Sequence, residues 1–291
     1  RTAVGDFTVY VESDFRGQGQ GSYNMRLRQA YIQLGALKVG KAWSTFCDPA
    51  AAPPTIDFEG PSGTVCARNV MLQYHHRFNE HWSMASAVEA PSATYTTLPH
   101  ASESIKQRIP DLPSYVQYEW NDGKSHIRWS NLLRFLSYRN LMEGKNQYVI
   151  GLASQLSGMI AFTPRITFYY QAAYGHGYAD YLNDLGGSDY DLIPDGDNGK
   201  LKAPYALGMV GGLQYNFCKN FFVSASYSQC RLYDQASLSD SAYKYGQYVV
   251  ANAFYTPFNN CQVGIEFLYG NRHNHDGEPG NAHRLNAMIQ Y

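Results

Sequence analysis

Arginine residues recur on the polar side of alternating segments along this 291-residue sequence. The guanidinium group of arginine is a planar fork that binds a carboxylate through two parallel hydrogen bonds. Arginines that face an aqueous space would therefore attract and bind solutes that carry carboxylates. The basic candidates on the polar faces are Arg26, Arg28, Lys38, Arg68, Arg128, Arg134 and Arg284.

Carboxylates occupy equivalent positions and oppose this preference. They are Glu12, Glu89, Glu119 and Glu266 in alternating segments, with Asp57 and Glu59 in a long loop. Facing positive and negative walls would produce a transverse field that orients a zwitterion or attracts ions of one sign. Each charge could equally belong to an external rim or to an ordinary surface salt bridge.

Two of the arginines do not fit the alternation. Arg26 and Arg28 share sequence parity with the apolar residues Ala30, Ile32 and Leu34. Either a β-bulge shifts the register between them, or both arginines lie above the lipid-facing band.

The elements that must position these side chains are β-strands. Residues 6–14 alternate strictly between an apolar and a polar side, which is the period of a strand. The pattern recurs about fourteen times, one instance running over residues 166–181, with short turns at one end and long loops at the other. Asn121-Asp122-Gly123-Lys124 is a strong reversal signal because Asp-Gly tolerates a positive φ.

This asymmetry, with aromatic residues near strand ends, is typical of an outer-membrane barrel. We therefore predict an all-β fold: a transmembrane antiparallel β-barrel of porin type, formed by a single domain over residues 1–291, in the bacterial outer membrane. The competing soluble folds are a β-sandwich and a propeller, which seldom alternate short and long connections along the whole chain.

Composition narrows the function classes. Charged residues make up only 16% of the chain, and 25 tyrosines stand against 4 tryptophans, as expected for a large β-structure with one apolar and one wet face. The net charge of -1 offers no field for nucleic acid, so we expect no nucleic-acid partner. The expected surroundings are outer-membrane lipid.

The loop from Cys47 to Cys66 is rich in proline, glycine and small residues, and we expect it to fold into the mouth of the barrel. A disulfide between its two cysteines would staple it. Five cysteines are an odd number, so at least one is unpaired in a monomer, and a set of unpaired buried thiols is equally consistent with the sequence.

Motifs for catalysis or metal binding are weak. His273 and His275 stand next to Asp276, but two histidines in a loop are more often solvated than metal ligands. The segment DYDLIPDGDNG lacks the spacing of a calcium loop. No serine and histidine are spaced to mark a nucleophile, so a membrane-embedded hydrolase ranks last, and we predict neither an enzyme nor a cofactor.

Several segments resemble one known family. They are YVESDFRG (10–17), AYIQLGALKVGKAWSTF (30–46), PPTIDFEGP (53–61), AYGHGYADYLNDL (173–185) and GIEFLYGNRHNHDG (264–277) with the closing RLNAMIQY. Together they are similar to the DcaP-like porins, a dicarboxylate-type branch of the outer-membrane porins. The similarity spans nearly the whole chain.

The resemblance implies a homotrimer of 16-stranded barrels that passes small, mostly anionic solutes. It implies that residues 48–61 form the constriction loop and that lumen arginines fall near Arg28, Arg68, Arg134 and Arg284. It also implies an initial hairpin before Arg1, so two strands are missing or this version closes with fewer. The cysteines and the short 141–146 loop depart from the family pattern.

These observations predict a passive outer-membrane diffusion channel for small hydrophilic, dicarboxylate-like anions. The expected pore and constriction residues are Arg28, Arg68, Arg134, Arg284, Lys38, Asp57, Glu59, Glu119 and Glu266. The alternative is a structural or adhesive barrel that is plugged by its own loops.

Overall fold

Fourteen strands follow one another in sequence order in one antiparallel sheet. The computed structural model describes residues 5–17, 24–233 and 237–291. The strands are β1 (Phe7–Asp14), β2 (Arg26–Leu34), β3 (Leu37–Trp43), β4 (Arg68–Arg77), β5 (Trp82–Glu89), β6 (Ser102–Ser104), β7 (Leu112–Trp120), β8 (Ser125–Asn140), β9 (Lys145–Thr163), β10 (Ile166–His176), β11 (Ile193–Pro194), β12 (Leu201–Lys202), β13 (Tyr205–Cys218), β14 (Phe221–Leu232), β15 (Tyr243–Phe258), β16 (Cys261–Asn274) and β17 (Pro279–Gln290).

Three of these strands are outside the consecutive series of fourteen. The short strand β6 pairs with β8, and β11 and β12 form a separate two-stranded sheet. The predicted all-β barrel of porin type, with about fourteen strands, is confirmed. No helix among the described residues has the length and apolar character needed to cross a membrane.

The outer face of the sheet is apolar and the inner face is polar. On β4, Leu72 points outward and is 51% exposed, whereas its neighbour Gln73 points inward and is 7% exposed. This is the inverse of a soluble barrel, in which apolar side chains fill the interior. An outward apolar band is what the hydrocarbon core of a bilayer requires.

The reversals are short at one end of the barrel and mostly long at the other. At the predicted turn of residues 121–124, Asn121, Asp122 and Gly123 all have positive φ, at 57°, 53° and 77°. The long connections run over residues 44–67, 90–111 and 177–204. The turn at 141–144 is a short connection on the long-loop side.

A β-bulge resolves the parity of Arg26 and Arg28. In the pairing of β1 with β2, Glu12 faces Gln29 and Ser13 faces Leu27, so Arg28 is the extra residue. The register shift brings both arginines to the inner side, where they meet the carboxylates of β1. Of the two readings left open by the sequence, the bulge is the one observed.

Two loops, the first over residues 44–67 and the second over residues 177–204, fold into the barrel and share a hydrophobic core with its wall. Phe46 of the first loop meets Tyr178 and Tyr181 of the second edge-on, with ring centroids 6.2 and 6.0 Å apart. Val65 and Leu182 join the two loops through a β-bridge. The prediction of a strand over residues 166–181 is wrong at its end, because β10 stops at His176. The residues after it turn into the barrel, where the side chains of Tyr178 and Tyr181 are buried.

The first loop also reaches both edges of the sheet. Glu59 lies 2.9 Å from Arg16, just after β1, and Asp57 lies 3.6 Å from Arg284 on β17. The sheet therefore curls until its edge strands flank one loop tip. Within the described residues neither edge strand is paired on its outer side. Sixteen strands and a single domain stay predictions.

Candidate functional site

The first loop crosses the lumen and lies flat on the wall formed by β13 and β14. The amide of Gly63 donates to Ser228 Oγ at 2.7 Å. A Cβ at Gly63 would lie 2.3 Å from the carbonyl oxygen of Gln229, and a Cβ at Gly208 would lie 2.5 Å from the carbonyl oxygen of Gly63. Only glycine on both surfaces permits this contact.

Farther along, the loop is anchored by polar side chains of β14 and β16. Ser224 Oγ donates to the carbonyl oxygen of Pro54 at 2.7 Å. Glu266 on β16 accepts the backbone amides of Ile56 and Asp57 at 2.7 and 3.0 Å. A carboxylate that accepts two amides forms charge-assisted bonds, which are stronger than neutral ones.

At its start, the loop is held on the opposite side by a buried carboxylate. Asp48 Oδ2 lies 2.8 Å from His126 Nε2 and accepts the hydroxyl of Ser157 at 2.7 Å. Arg128 donates to the carbonyl oxygen of Cys47 at 3.0 Å. Serine and histidine contact the aspartate rather than each other, so the cluster anchors the loop and does not form a catalytic triad.

The loop tip is fixed by arginines of the β1–β2 side of the sheet. Phe58 lies between two guanidinium groups, with Arg16 4.8 Å and Arg28 5.0 Å from its ring centroid. Arg16 also pairs with Glu59, and Asp57 accepts the hydroxyl of Tyr248 at 3.3 Å. The residues that sequence analysis assigned to the constriction are thus tethered across the lumen.

Between this loop and the β2–β4 wall lies a cavity of about 310 Å³. Its charged lining combines Arg26, Arg28 and Arg68 with Asp57 and Glu59. The remaining lining is mostly apolar or backbone and includes Trp43, Phe58, Pro53, Val65 and Asn183. Four residues of the sequence-based prediction therefore meet at one site: Arg28, Arg68, Asp57 and Glu59.

Most of the charge at this site is compensated in pairs. Arg26 binds Asp14 through two hydrogen bonds of 3.0 and 2.7 Å. Arg28 lies 2.5 Å from Glu12 and 2.9 Å from Asp14. The β1 carboxylates thus hold two guanidinium groups of β2 at the cavity wall.

Arg68 differs from its neighbours. Its guanidinium stacks on Trp43, 3.6 Å from the ring centroid. Its Nε is buried without a hydrogen-bond partner, and no carboxylate in the described ranges pairs with it. Arg68 therefore leaves one uncompensated positive charge at the cavity.

Arg134 was expected in the pore, and that assignment is wrong. Its side chain is 0% exposed and lies 3.1 Å from Asp111 and 3.0 Å from Asp191. It also donates to the carbonyl oxygens of Gly177, at 2.9 Å, and Ser92. Its place on the polar face and the family resemblance both put it in the lumen, but the loops of residues 90–111 and 177–204 cover it. Arg134 therefore joins these loops to the wall and does not face water.

The two carboxylates that flank Arg134 share a single guanidinium. Burial raises the pKa of Asp191 to about 6 and also raises the pKa of Asp111. The attraction of Arg134 opposes this effect but cannot compensate two negative charges at once. The loops are therefore joined to the wall by a network that binds a proton more readily than ordinary aspartates do.

The other predicted residues lie apart from the cavity or are shielded. Glu266 is 1% exposed and binds the loop backbone, so its assignment to the pore surface is corrected to an anchor. Lys38 holds its ammonium 5.0 Å from the Tyr31 ring. Glu119 lies near the short turns, 3.5 Å from Arg77. The side chain of Arg284 is 61% exposed and meets the site through Asp57.

The disulfide option for the first loop is not realised. Cys47 and Cys66 are both free thiols. Cys47 is buried, and its Sγ accepts the amide of Ala67 at 3.3 Å. Burial raises the pKa of both thiols, so they are packing groups with little thiolate character.

Sequence analysis missed four residues at the site: Arg16, Trp43, Phe58 and Asn183. Phe58 carried a usable signal, since it is a large apolar residue between two acids in a polar loop. Asn183 donates to the carbonyl oxygen of Glu59 at 2.8 Å across 124 residues of sequence. No local pattern could have indicated that contact.

Residues 1–135 match the family model for the DcaP outer membrane protein. The whole chain matches the crystal structure of the outer membrane channel DcaP of Acinetobacter baumannii with a TM-score of 0.85, at 22% identity, and covers 82% of that chain. OmpT, an outer membrane protein of Vibrio cholerae, matches 98% of this chain and 84% of its own with a TM-score of 0.60 at 10% identity. The anion-selective porin from Comamonas acidovorans matches 98% of this chain and 82% of its own with a TM-score of 0.56 at 9% identity. No curated protein matches the sequence.

Proposed function

We propose that this chain, which is similar to the DcaP outer membrane protein over residues 1–135 and to the DcaP channel in fold, is a passive diffusion channel for small hydrophilic anions. Solutes move down their gradients through the lumen that the first loop narrows. The family resemblance supports a homotrimer surrounded by outer-membrane lipid.

The loop geometry supports a narrowed channel. The loop is anchored at its start by Asp48, along its length by Gly63 and Glu266, and at its tip by Arg16. A segment fixed at so many points keeps a constant bore. The cavity beside it, about 310 Å³, suits a small organic solute.

The single observation that carries the choice of an anion is the uncompensated Arg68. Arg26 and Arg28 are paired with Asp14 and Glu12, but their remaining donors still line the cavity. A guanidinium binds a carboxylate bidentately and with more geometric specificity than an ammonium group. A solute with two carboxylates can meet Arg68 and its neighbour Arg28 together, and we propose dicarboxylate-like solutes as the preferred class.

The test is the rate of solute uptake into liposomes that contain the purified protein. Succinate and its uncharged diamide, succinamide, have nearly the same size. The ratio of their uptake rates therefore reports the charge preference of the channel and not its diameter. We expect faster uptake of succinate. Equal rates, or faster uptake of succinamide, would contradict the anion assignment.

A plugged structural barrel is the second candidate. It is favoured by the core inside the lumen, where Phe46, Tyr178 and Leu182 of the loops pack against the wall. This barrel would admit neither solute and would give no conductance in planar bilayers. The control is gel electrophoresis with and without heating. A difference in mobility between the two samples shows that a protein without conductance is nevertheless folded.

A further inference from the structure

Aromatic side chains on the outer wall form two rows. Tyr205 and Tyr215 on β13, and Tyr245 and Tyr255 on β15, mark the rows ten residues apart. At about 3.3 Å per residue and a tilt of about 40°, ten residues span about 25 Å across the membrane, the height of the apolar band. The row of Tyr215 and Tyr255 lies next to the short turns, which are periplasmic in outer-membrane barrels. The row of Tyr205 and Tyr245, called the upper row below, therefore lies at the outer leaflet.

The upper row contains an arginine and two histidines as well as aromatic residues. Strand pairing places His176 opposite Tyr205, and it places Tyr245 opposite both Arg231 and His273. The row therefore includes residues of β10, β13, β14, β15 and β16, with Arg231 opposite Leu207, two residues from Tyr205. In the lower row the matching positions are apolar, with Phe221 on β14 and Val263 on β16.

Arg231 is the centre of this row. It shares the outward face of β14 with Tyr227 and Gln229, on the opposite side of the wall from the lumen. Its guanidinium carbon lies 5.1 Å from the ring centroid of Tyr233 and 5.8 Å from that of Tyr245. Two tyrosines thus hold the group at the membrane surface while leaving its charge intact.

Among the residues that the structure describes, no carboxylate pairs with this charge. Nε of Arg231 is buried without a hydrogen-bond partner. An unpaired cation at the boundary of the hydrocarbon is costly unless an anion from outside the protein meets it. The anions at this level of a membrane are the phosphates of lipid headgroups.

We propose that the upper row is a binding site for a phosphorylated lipid of the outer leaflet, with Arg231 as the ligand of the phosphate. Tyr233 and Tyr245 orient the guanidinium and cover the first carbons of the lipid. His273, stacked on Tyr245 with ring centroids 4.5 Å apart, adds a polar group beside it. The site does not depend on the channel, because it lies on the outer side of the wall.

The test measures lipid retained by the purified wild-type protein in a nonionic detergent. The protein is incubated with diphosphoryl lipid A or with phosphatidylcholine, separated by gel filtration and examined by native mass spectrometry. We expect bound lipid A and little phosphatidylcholine, whose phosphate is already paired with its own cation. The substitution Arg231→Gln removes the charge-assisted contact between the guanidinium and the lipid phosphate, so the affinity for lipid A should fall about tenfold.

Arg165→Gln is the matched control, because it removes the same charge from an exposed arginine at the short-turn end. It should leave lipid A binding unchanged. An unaltered affinity in R231Q, or an equal loss in R165Q, would overturn the proposal. Release of lipid A by excess inorganic phosphate alone would also overturn it, since the site would then bind the free ion.

Discussion

The guanidinium carbon of Arg68 lies 3.6 Å from the ring centroid of Trp43, at the wall of a cavity that also contains Arg26 and Arg28. Stacking fixes the plane of the guanidinium without neutralising its charge. The paired arginines of β2 are compensated by carboxylates of β1, whereas Arg68 is not. It therefore presents an oriented cation to any solute that enters the constriction.

Gly208→Val should widen the channel. A side chain at this position overlaps the backbone of Gly63, and overpacking costs about 1–3 kcal/mol. The hydrogen bond of Gly63 to Ser228 contributes about 1 kcal/mol, so the part of the loop around Gly63 should move off the wall while the anchors at Asp48 and at the loop tip hold. Single-channel conductance should rise. Gly211→Ala is the control, because a Cβ there has nothing within 4 Å, and an equal rise in that variant would exclude the loop as the cause.

Glu266→Gln should loosen the loop without changing ion selectivity. The carboxylate accepts the amides of Ile56 and Asp57, and a neutral amide holds them more weakly, by about 1–2 kcal/mol. Limited proteolysis should cut the loop faster, whereas Glu119→Gln, near the short turns, should not affect it. A large change in the reversal potential of E266Q would show instead that this buried group faces the pore.

Asp191 should make the protein more stable at pH 5 than at pH 7. Its pKa of about 6 in the folded protein lies above the ordinary value of about 3.9, so the folded state binds the proton more tightly than the unfolded state. The stabilisation grows as the pH falls through 6 and is complete near 4, reaching about 3 kcal/mol at about 1.4 kcal/mol per pKa unit.

Thermal unfolding of the detergent-solubilised protein at pH 5 and pH 7 measures this effect. Asp191→Asn removes the titrating group and should flatten the dependence, although Asp111, whose pKa is also raised, retains part of it. A wild type that is more stable at pH 7, or a variant with an unchanged pH profile, would refute the linkage.

All five cysteines should be alkylated after denaturation without a reductant, because all are free thiols. In the folded protein the exposed Cys218 should react first, whereas Cys47 and Cys230 are buried and should be protected. Mass spectrometry counts the added groups. A denatured chain that gains only three groups would show that a disulfide is present.

Much of the barrel follows from the sequence because alternation is a local property. Leu72 and Gln73 point to opposite faces whatever the rest of the chain does. The turn at residues 121–124 was predictable since its left-handed φ values require residues such as Asn, Asp and Gly. The conflict of parity at Arg26 and Arg28 left two alternatives, a bulge or a position above the lipid-facing band, and it could not show which residue would be the extra one.

The site was only partly predictable, because parity says which side of the wall a residue faces and not what covers it. Arg134 and Glu266 both point inward as expected, yet loops bury both of them. Their partners, Asp191 and the amide of Ile56, lie far away in the sequence. Contacts of this kind depend on how the loops fold against the wall.

The most direct test of the channel is the reversal potential of the purified protein in a planar bilayer under a KCl gradient. The wild type should be anion-selective, Arg68→Ser should lose much of that selectivity, and Arg165→Ser at the short-turn end should keep it. A cation-selective wild type would indicate that Asp57 and Glu59 determine the selectivity and would contradict the anion assignment. Selectivity that R68S leaves unchanged would contradict the central role of Arg68.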